Sequence, residues 1–307
     1  MRGERGVAAV TAILVVAVAA SAASFMLAQH SAMIDQTSLV AARAQAELFA
    51  DAGLDWARGV LADDVQRTGG VDSLGEGWAQ PIAGLPVERA VVAGAIADEQ
   101  GKFNLNNLVI GGRSDWDYRI LQRLLKELRL PVELADAVMD WIDADQDLTG
   151  NGGAENAYYL ALKRPYRASN QPMAQVDELY RVRGFDAGTV RRLRPHVTAL
   201  PVRTAVNINT ATPELLAAIF DGKVAGDVLA ARLATRTATP FRSAMEISQW
   251  APHADARVAG GDLGVRSDFF SVRVHVAQDE VRIASEALVR RNPQSGTVSF
   301  VWRRGLY

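Results

Sequence analysis

The chain contains no cysteine among its 307 residues. Disulfide bridges and thiolate metal sites are therefore excluded, and any bound cation must rely on oxygen or nitrogen ligands. The sequence also has no Gly-Lys-Ser/Thr phosphate loop and no Gly-x-Ser-x-Gly elbow, and its four histidines are scattered. Because no catalytic constellation is present, we expect that the protein is not an enzyme.

A charge excess of either sign is also missing, since the formal net charge is −2. Such a balance gives no strong general attraction to nucleic acid or to an anionic membrane surface. Hydrophobic residues make up 49% and charged residues 22% of the sequence. This composition favours a globular domain with a core and excludes a disordered tail.

A long apolar run occupies the N-terminal region. Residues 7–28 carry no charge, and as a helix they would reach roughly 33 Å, which is enough to cross a bilayer core. Arg2 and Arg5 precede the run, so its N-terminal side is expected in the cytoplasm and the rest of the chain across the inner membrane, in the periplasm.

Three interpretations of this run remain open from the residues alone. It is a signal anchor, a secretory signal cleaved near residues 22–24, or a type IV prepilin segment. A secretory signal has its cleavage site after the apolar region, whereas here the obvious junction, Gly6-Val7, lies before it. That order is typical of prepilins, in which a peptidase removes the leader, here residues 1–6, and the new N-terminal amine is methylated.

The remaining pattern predicts an α+β fold. One helix is expected to continue to about residue 62, with Phe49, Gly53, Trp56 and Val60 on an apolar face. Strands are predicted at 86–97, 269–276, 281–291 and 296–303, and helices at 114–129, from Pro131 to 142, 174–182, 186–194, 212–220, 224–236 and 243–250. Helices bracketed by strands indicate an all-α domain inserted into a small antiparallel sheet.

The inserted segment contains an imperfect repeat. Residues 176–188 and 213–226 each pair a short amphipathic helix with a glycine-bearing turn and a second helix, which predicts two helix–hairpin–helix, or SAM-like, units. Such units can bind DNA, but residues 207–250 carry equal numbers of basic and acidic side chains. We therefore interpret the units as structural and expect no nucleic-acid partner.

The clearest candidate for a binding site is an acidic loop, in which carboxylate residues occupy alternate positions and are followed by glycines. Asp143, Asp145, Asp147, Asn151 and Glu155 offer the hard oxygens that calcium prefers, although the loop does not follow the EF-hand pattern. A solvated acidic turn at the end of helix 131–142 is the alternative. The basic run 191–194 is expected to be a solvated helix face or a partner of this loop.

Several segments together resemble one family, the K-type minor pseudopilins of bacterial type II secretion. They include the leader junction at 5–11 and the sequences Lys102-Phe-Asn-Leu-Asn-Asn-Leu108, Asp140-Trp-Ile-Asp-Ala-Asp145 and Gly153-Ala-Glu-Asn-Ala-Tyr-Tyr-Leu160. Two more are Asn170-Gln-Pro-Met-Ala-Gln-Val-Asp-Glu-Leu179 and Val206-Asn-Ile-Asn-Thr-Ala-Thr212. Their order and spacing span nearly the whole chain.

The resemblance implies a pilin-like fold with a large inserted α domain. The expected division is a leader at 1–6, a transmembrane and pilin helix at 7–62, a β subdomain at 63–103 and 263–307, and an α domain at 104–262. It also implies structural Ca²⁺ in the acidic loop. Thr11 stands where most pilins have a glutamate that pairs with a neighbouring subunit's amine, as expected for a fibre tip.

The functional expectation is a minor pseudopilin at the tip of the type II secretion pseudopilus, which starts or caps a fibre that exports folded proteins. Its expected partners are other minor pseudopilins, the prepilin peptidase and the inner membrane, with assembly through Thr11, Phe49 and Trp56. The alternatives are an exported, membrane-anchored helix–hairpin–helix module that binds DNA, and an anchored enzyme.

Overall fold

The computed structural model describes residues 4–220, 228–249 and 262–306, and side chains within 9–220, 230–247 and 262–306. The first element, α1 (Glu4–Thr68), is a single helix of 65 residues. It continues past the predicted end at residue 62. An 18-residue window within it has a mean hydropathy of 2.3 and no buried residue, so this part of the helix is long and apolar enough to cross a membrane.

A five-stranded antiparallel sheet packs against the second half of α1. Its order is β1 (Ile82–Val87), β2 (Ala90–Asp98), β7 (Phe269–Gln278), β8 (Val281–Arg291) and β9 (Val298–Leu306). Helix residues at three- and four-residue spacings form the buried stripe that contacts the sheet: Ala46, Ala50, Leu54, Ala57 and Leu61. They pack on alternate β7 residues, among them Val272, Val274 and Val276.

The prediction of one strand at 86–97 is wrong at its beginning. The structure has a β1–β2 hairpin here, with Val87 paired to Ala90 and Glu88 in the turn. Glu88 has a φ of 51°, a conformation that usually marks Gly or Asn. Because neither residue is present at the turn, the local sequence gave no turn signal.

The chain leaves the sheet after β2 and returns at β7. The intervening elements are β3 (Phe103–Asn104), α2 (Asp115–Glu127), α3 (Leu134–Ile142), α4 (Asn156–Leu160), α5 (Ala187–Leu193), β4 (Val197–Thr198), β5 (Val206–Asn207), α6 (Pro213–Ile219), α7 (Val228–Ala234) and β6 (Leu263–Gly264). Short 3-10 helices lie at Gly77–Ala79, Leu105–Leu108, Val176–Arg181, Arg194–His196 and Ala244–Gln249. The predicted pilin-like fold with a helical insert is confirmed.

Local differences from the prediction concern helix type and helix ends. The segments expected as α-helices at 174–182 and 243–250 are 3-10 helices, and α4 was not predicted. Helix α3 begins at Leu134 rather than Pro131, and Val132, expected to point inward, is exposed. Ser114 caps α2 as predicted, since its hydroxyl accepts a hydrogen bond from the Asp117 amide.

The helical insert contains two units of similar construction, although not in the predicted alignment. In the first, the buried Asn106 side chain bonds both the amide and the carbonyl of Met173, three residues before the 3-10 helix Val176–Arg181. In the second, Asn209 bonds both backbone groups of Phe241, three residues before Ala244–Gln249. Each unit also closes with a parallel strand pair, β3–β4 or β5–β6. The hairpin predicted at 221–226 lies outside the described residues.

The insert joins the sheet at the end that is farther from the apolar N-terminal part of α1. Near one end of the sheet, Gln278 of β7 bonds Gln45 of α1. At the other end, Arg291 of β8 contacts Asp64, close to the end of α1. Strand β2 ends and β7 begins at this second end, so the helical insert lies there. Along the axis of α1, this end is roughly 30 Å beyond Gln45.

Candidate functional site

The acidic loop follows α3 directly and brings three carboxylates together. Asp143, Asp145 and Glu155 each place one carboxylate oxygen within 4.8 Å of the others. Asp143 is the residue after α3, and Glu155 precedes α4, so two helix ends fix the two sides of the group. Asp143 and Glu155 are buried, whereas Asp145 is exposed and leaves one side open to solvent.

Most of the buried oxygens in this group have no hydrogen-bond partner. Within the described part of the chain, both oxygens of Asp143 and both of Glu155 are unpaired. The adjacent Asp140 has one unpaired oxygen, while its other oxygen accepts from the Thr149 amide at 2.9 Å. Buried anions without donors are costly, and a cation would remove that cost.

The pKa values of these groups follow from burial and mutual repulsion. Burial, and then the charges of Asp145 and Asp140, raise the pKa of Asp143 to about 6. Burial, followed by the charges of Asp140, Asp143 and Asp145, raises the pKa of Glu155 to about 7. Clustered carboxylates with raised pKa values and unpaired oxygens fit a hard divalent cation that binds oxygen, such as Ca²⁺.

The structure does not bring all of the predicted ligands together. The exposed Asp147 lies outside the group, and its amide donates to the Asp145 carboxylate at 2.9 Å. Asn151 is also exposed. Asp140, which sequence reasoning quoted only as part of a family segment, has the orphaned oxygen that points to a further ligand. Its burial in α3 is not visible from local spacing.

Two glycines and two arginines shape the loop. A Cβ at Gly153 would overlap the Asp140 carboxylate, and Gly150 has a φ of +55°, so both positions favour glycine. Arg183 donates to the Gly153 carbonyl at 2.7 Å, and Arg113 donates to the Thr149 hydroxyl at 3.2 Å.

The suggested pairing of the basic run 191–194 with the loop is wrong for two of its members. Arg192 contacts the Leu128 carbonyl and Arg194 pairs with Asp177.

A second acidic group lies near the end of α1. Asp64, Asp72 and Glu76 are as close together as the loop carboxylates, but here the chain supplies its own cation. The guanidinium of Arg291, whose side chain is 1% exposed, lies 2.5 Å from Asp72 and 3.4 Å from Asp64. The guanidinium offsets part of the negative charge of Asp72 and Asp64, although burial still raises the pKa of both carboxyls.

The predicted assembly face forms one wall of an apolar groove. Phe49, Gly53, Trp56 and Val60 line the α1 side of a groove of about 400 Å³, and the β1–β2 hairpin forms the other side. A Cβ at Gly53 would lie 2.9 Å from Val274, so glycine permits close packing of helix on sheet. Trp56 is 56% exposed, which is unusual for so large an apolar side chain.

The other assembly and processing residues lie on the N-terminal part of α1. Thr11 is exposed, within the segment that is long enough to cross a membrane. Gly6 and Val7 fall inside α1, and residues 1–3 of the predicted leader lie outside the described residues.

Comparisons with known proteins agree with this architecture. Two family models, both described as type II secretion system protein K, match residues 101–202 and 206–267. Protein K of Aeromonas hydrophila is 32% identical, with 97% of this chain and 96% of the relative covered. Protein K of Klebsiella pneumoniae is 31% identical over 99% and 97% of the two chains, and that of Pseudomonas aeruginosa is 36% identical over 72% and 69%.

A solved structure extends the similarity to the fold. A chain in the crystal structure of the GspK–GspI–GspJ complex from enterotoxigenic Escherichia coli superposes with a TM-score of 0.76 at 26% identity. The match covers 89% of this chain and 99% of that one. The long helix, the sheet and the inserted helical domain agree with these matches. The chain belongs to the type II secretion system protein K family of minor pseudopilins.

Proposed function

We propose that this minor pseudopilin is the tip subunit of the pseudopilus, where it initiates or caps the fibre. The observation that carries the proposal is the position of the helical insert, which covers the membrane-distal end of the sheet. A pilin-type contact is head-to-tail and continues without limit unless one surface is blocked. We infer that the insert blocks the stacking of a further subunit and that the role of the protein is structural.

The apolar groove beside Trp56 is proposed as the contact for the helices of other minor pseudopilins. The solved relative lies in a complex with GspI and GspJ, which supports a heteromeric partner. Apolar walls and an exposed tryptophan are typical of a docking surface whose energy is concentrated in a few residues. The stripe from Ala46 to Leu61 already packs on the sheet, which leaves the Trp56 flank for a partner.

The test is copurification of the full-length chain with its minor pseudopilins from detergent. We expect a one-to-one complex and no homopolymer by light scattering. Trp56→Glu should weaken the complex at least tenfold, whereas Leu48→Glu, at a 69% exposed position that does not line the groove, should leave it unchanged. A homopolymer, or equal effects of the two variants, would remove the support for this surface.

Maturation and location follow the same proposal. The prepilin peptidase should cleave between Gly6 and Val7 and methylate the new amine, leaving α1 as a single-pass anchor in the inner membrane with the remainder in the periplasm. Intact mass spectrometry of the membrane form should give a chain that begins at methylated Val7. A chain that begins at Met1, or near residues 22–24, would contradict it.

The acidic loop is proposed to bind structural Ca²⁺ through Asp143, Asp145 and Glu155, with Asp140 beside them. The support is the set of buried, unpaired carboxylate oxygens. When bound, the ion supplies positive charge that the described side chains of the loop do not supply. The loop residues order the connection between α3 and α4, and no chemical reaction is assigned to them.

A further inference from the structure

Along the described residues, the chain crosses between the sheet and the helical insert twice, at residues 98–103 and 264–269. Two single crossings usually allow a hinge, because few contacts oppose rotation of one part on the other. Here an apolar cluster packs the insert on the sheet through Leu200, Val202, Phe269, Leu288 and Trp302. A buried polar cluster also surrounds both crossings. We call it the joint cluster, and its members are Asp64, Asp72, Asp98, Asn207, Ser267 and Arg291.

Arg291, at the end of β8, lies at the centre of the joint cluster. Its guanidinium donates to the Asp72 carboxylate at 2.5 and 2.6 Å and to the Ser267 carbonyl at 2.6 Å, and Asp64 lies at 3.4 Å. It also stacks at 4.8 Å over the ring of Phe270. One side chain of the sheet therefore holds the end of α1, the segment after α1 and the exit from the insert.

Asn207 holds the insert from the other side. Its side-chain amide donates to the Asp98 carboxylate at 3.0 Å, to the Asp72 carbonyl at 3.2 Å and to the Ser267 hydroxyl at 3.0 Å. Asp98 also accepts from the hydroxyls of Ser267 and Thr210. The second unit of the insert is thereby bonded to both crossings.

The geometry of these bonds favours one orientation of the insert on the sheet. The Arg291 side chain is 1% exposed and the Asp72 side chain 0% exposed, so neither can exchange its partner for water. Rotation of the insert would separate buried charges from their partners, and removing one partner of such a pair is strongly unfavourable. A planar guanidinium with several fixed donors meets three groups at once, which a lysine ammonium cannot reproduce.

We propose that Arg291 is a positioning residue that fixes the orientation of the helical insert relative to the axis of α1. With Arg291 in place, the insert and α1 move as one rigid body, so displacement of the helix is transmitted to the insert without bending. The importance of this rigidity for secretion rests on the proposed tip function, but the rigidity itself does not.

The test measures orientation directly in the full-length chain in detergent. Because the chain has no cysteine, spin labels attach only where cysteine is introduced. One labelled pair crosses the joint, with cysteine replacing the exposed Gln66 of α1 and Lys163 of the insert. A control pair lies within the insert, at the exposed Lys126 and Lys163. Pulsed electron resonance then gives the distance distribution for each pair.

We expect a narrow distribution across the joint in the wild type. In Arg291→Lys and Arg291→Met this distribution should become at least twice as wide, while the control pair keeps its width. The proposal is overturned if the distribution across the joint stays narrow in both variants. It is also overturned if both pairs broaden together in both variants, because Arg291 would then be required for folding rather than for orientation.

Partner binding separates this inference from the proposed function. The Trp56 groove is lined by α1, the segment before β1, β1, β2 and β7, so Arg291→Lys should copurify with the other minor pseudopilins to within twofold of the wild type. Failure of the wild-type chain to copurify would count against the tip function. The spin-label distances would still test whether Arg291 fixes the orientation of the insert.

Discussion

Asp64, Asp72 and Glu76 near the end of α1, and the three carboxylates of the acidic loop, have the same spacing but opposite electrostatic solutions. In each group one oxygen per residue lies within 4.8 Å of the others. In the α1 group, Asp72 and Asp64 contact the guanidinium of Arg291, whereas the buried oxygens of Asp143 and Glu155 have no partner in the described part of the chain. Asp72 and Asp64 therefore have a cation that the chain itself supplies, whereas the cation proposed for the acidic loop comes from solution.

Removal of Arg291 should have the largest effect on stability among the changes to the two groups. Arg291→Met leaves Asp72 and Asp64 buried without their charge partner, and we expect a loss of about 3–5 kcal/mol in the free energy of unfolding. The loss should be equal with calcium and with chelator, as measured by urea denaturation of the full-length chain. A loss below about 1 kcal/mol would show that this cluster does not need its guanidinium.

Calcium should have the next largest effect, and only through the loop. An ion that binds the folded state alone stabilises it by about 2.7 kcal/mol at a concentration 100 times its dissociation constant. Calorimetry should therefore show a higher melting temperature with calcium than with chelator.

The matched variants sharpen this test. Glu155→Gln should abolish the shift, whereas Asp147→Asn should retain it, because Asp147 lies outside the clustered carboxylates. Identical melting curves of the wild type with and without calcium would mean that the loop binds no ion.

Neutralising one carboxylate in each group should change stability by a smaller amount and in opposite directions. Without calcium at pH 7.5, Asp143→Asn removes a buried charge that has no partner, so we expect a gain of about 1 kcal/mol in stability. Asp72→Asn removes a charge paired with Arg291 and should destabilise instead. Both variants are compared with the wild type in chelator by chemical denaturation. If both variants lose stability, the Asp143 carboxylate has a favourable partner even in the absence of calcium.

The last expected effect is the pH dependence of Glu76, which solvent screening reduces because the side chain is only half-buried. Burial, despite the hydrogen bond from Trp78, raises the pKa of Glu76 from 4.5 to about 7. Between these values the folded chain binds more protons than the unfolded chain, so this group lowers stability as pH rises from 4.5 to 7 and has no further effect above. The difference in unfolding free energy between Glu76→Gln and wild type should therefore shift in favour of the variant across that window. A difference that is constant with pH would contradict the raised pKa.

Sequence reasoning succeeded where a pattern is local. The long apolar helix and the alternating strands follow from periodicity within short segments. Of the five predicted calcium ligands, the structure brings Asp143, Asp145 and Glu155 together, and calcium binding itself stays a prediction. It failed where a single residue acts through the tertiary fold. Nothing near Arg291 marks it as a buried partner of Asp72, which lies on the far side of the insert in sequence. Glu88 likewise occupies a turn conformation that its residue type does not signal.

Among the described residues, the two units of the insert differ in the length of one connection. Residues 143–172, with the acidic loop, separate α3 from Met173, but only residues 235–240 separate α7 from Phe241. The second unit contributes Asn207 to the joint cluster, and its connection from α7 to Phe241 carries no acidic residue. The carboxylates clustered for the proposed ion all belong to the first unit. We therefore expect that chelator leaves the joint cluster and the second unit unchanged, and that the proposed Ca²⁺ orders only the outer part of the first unit.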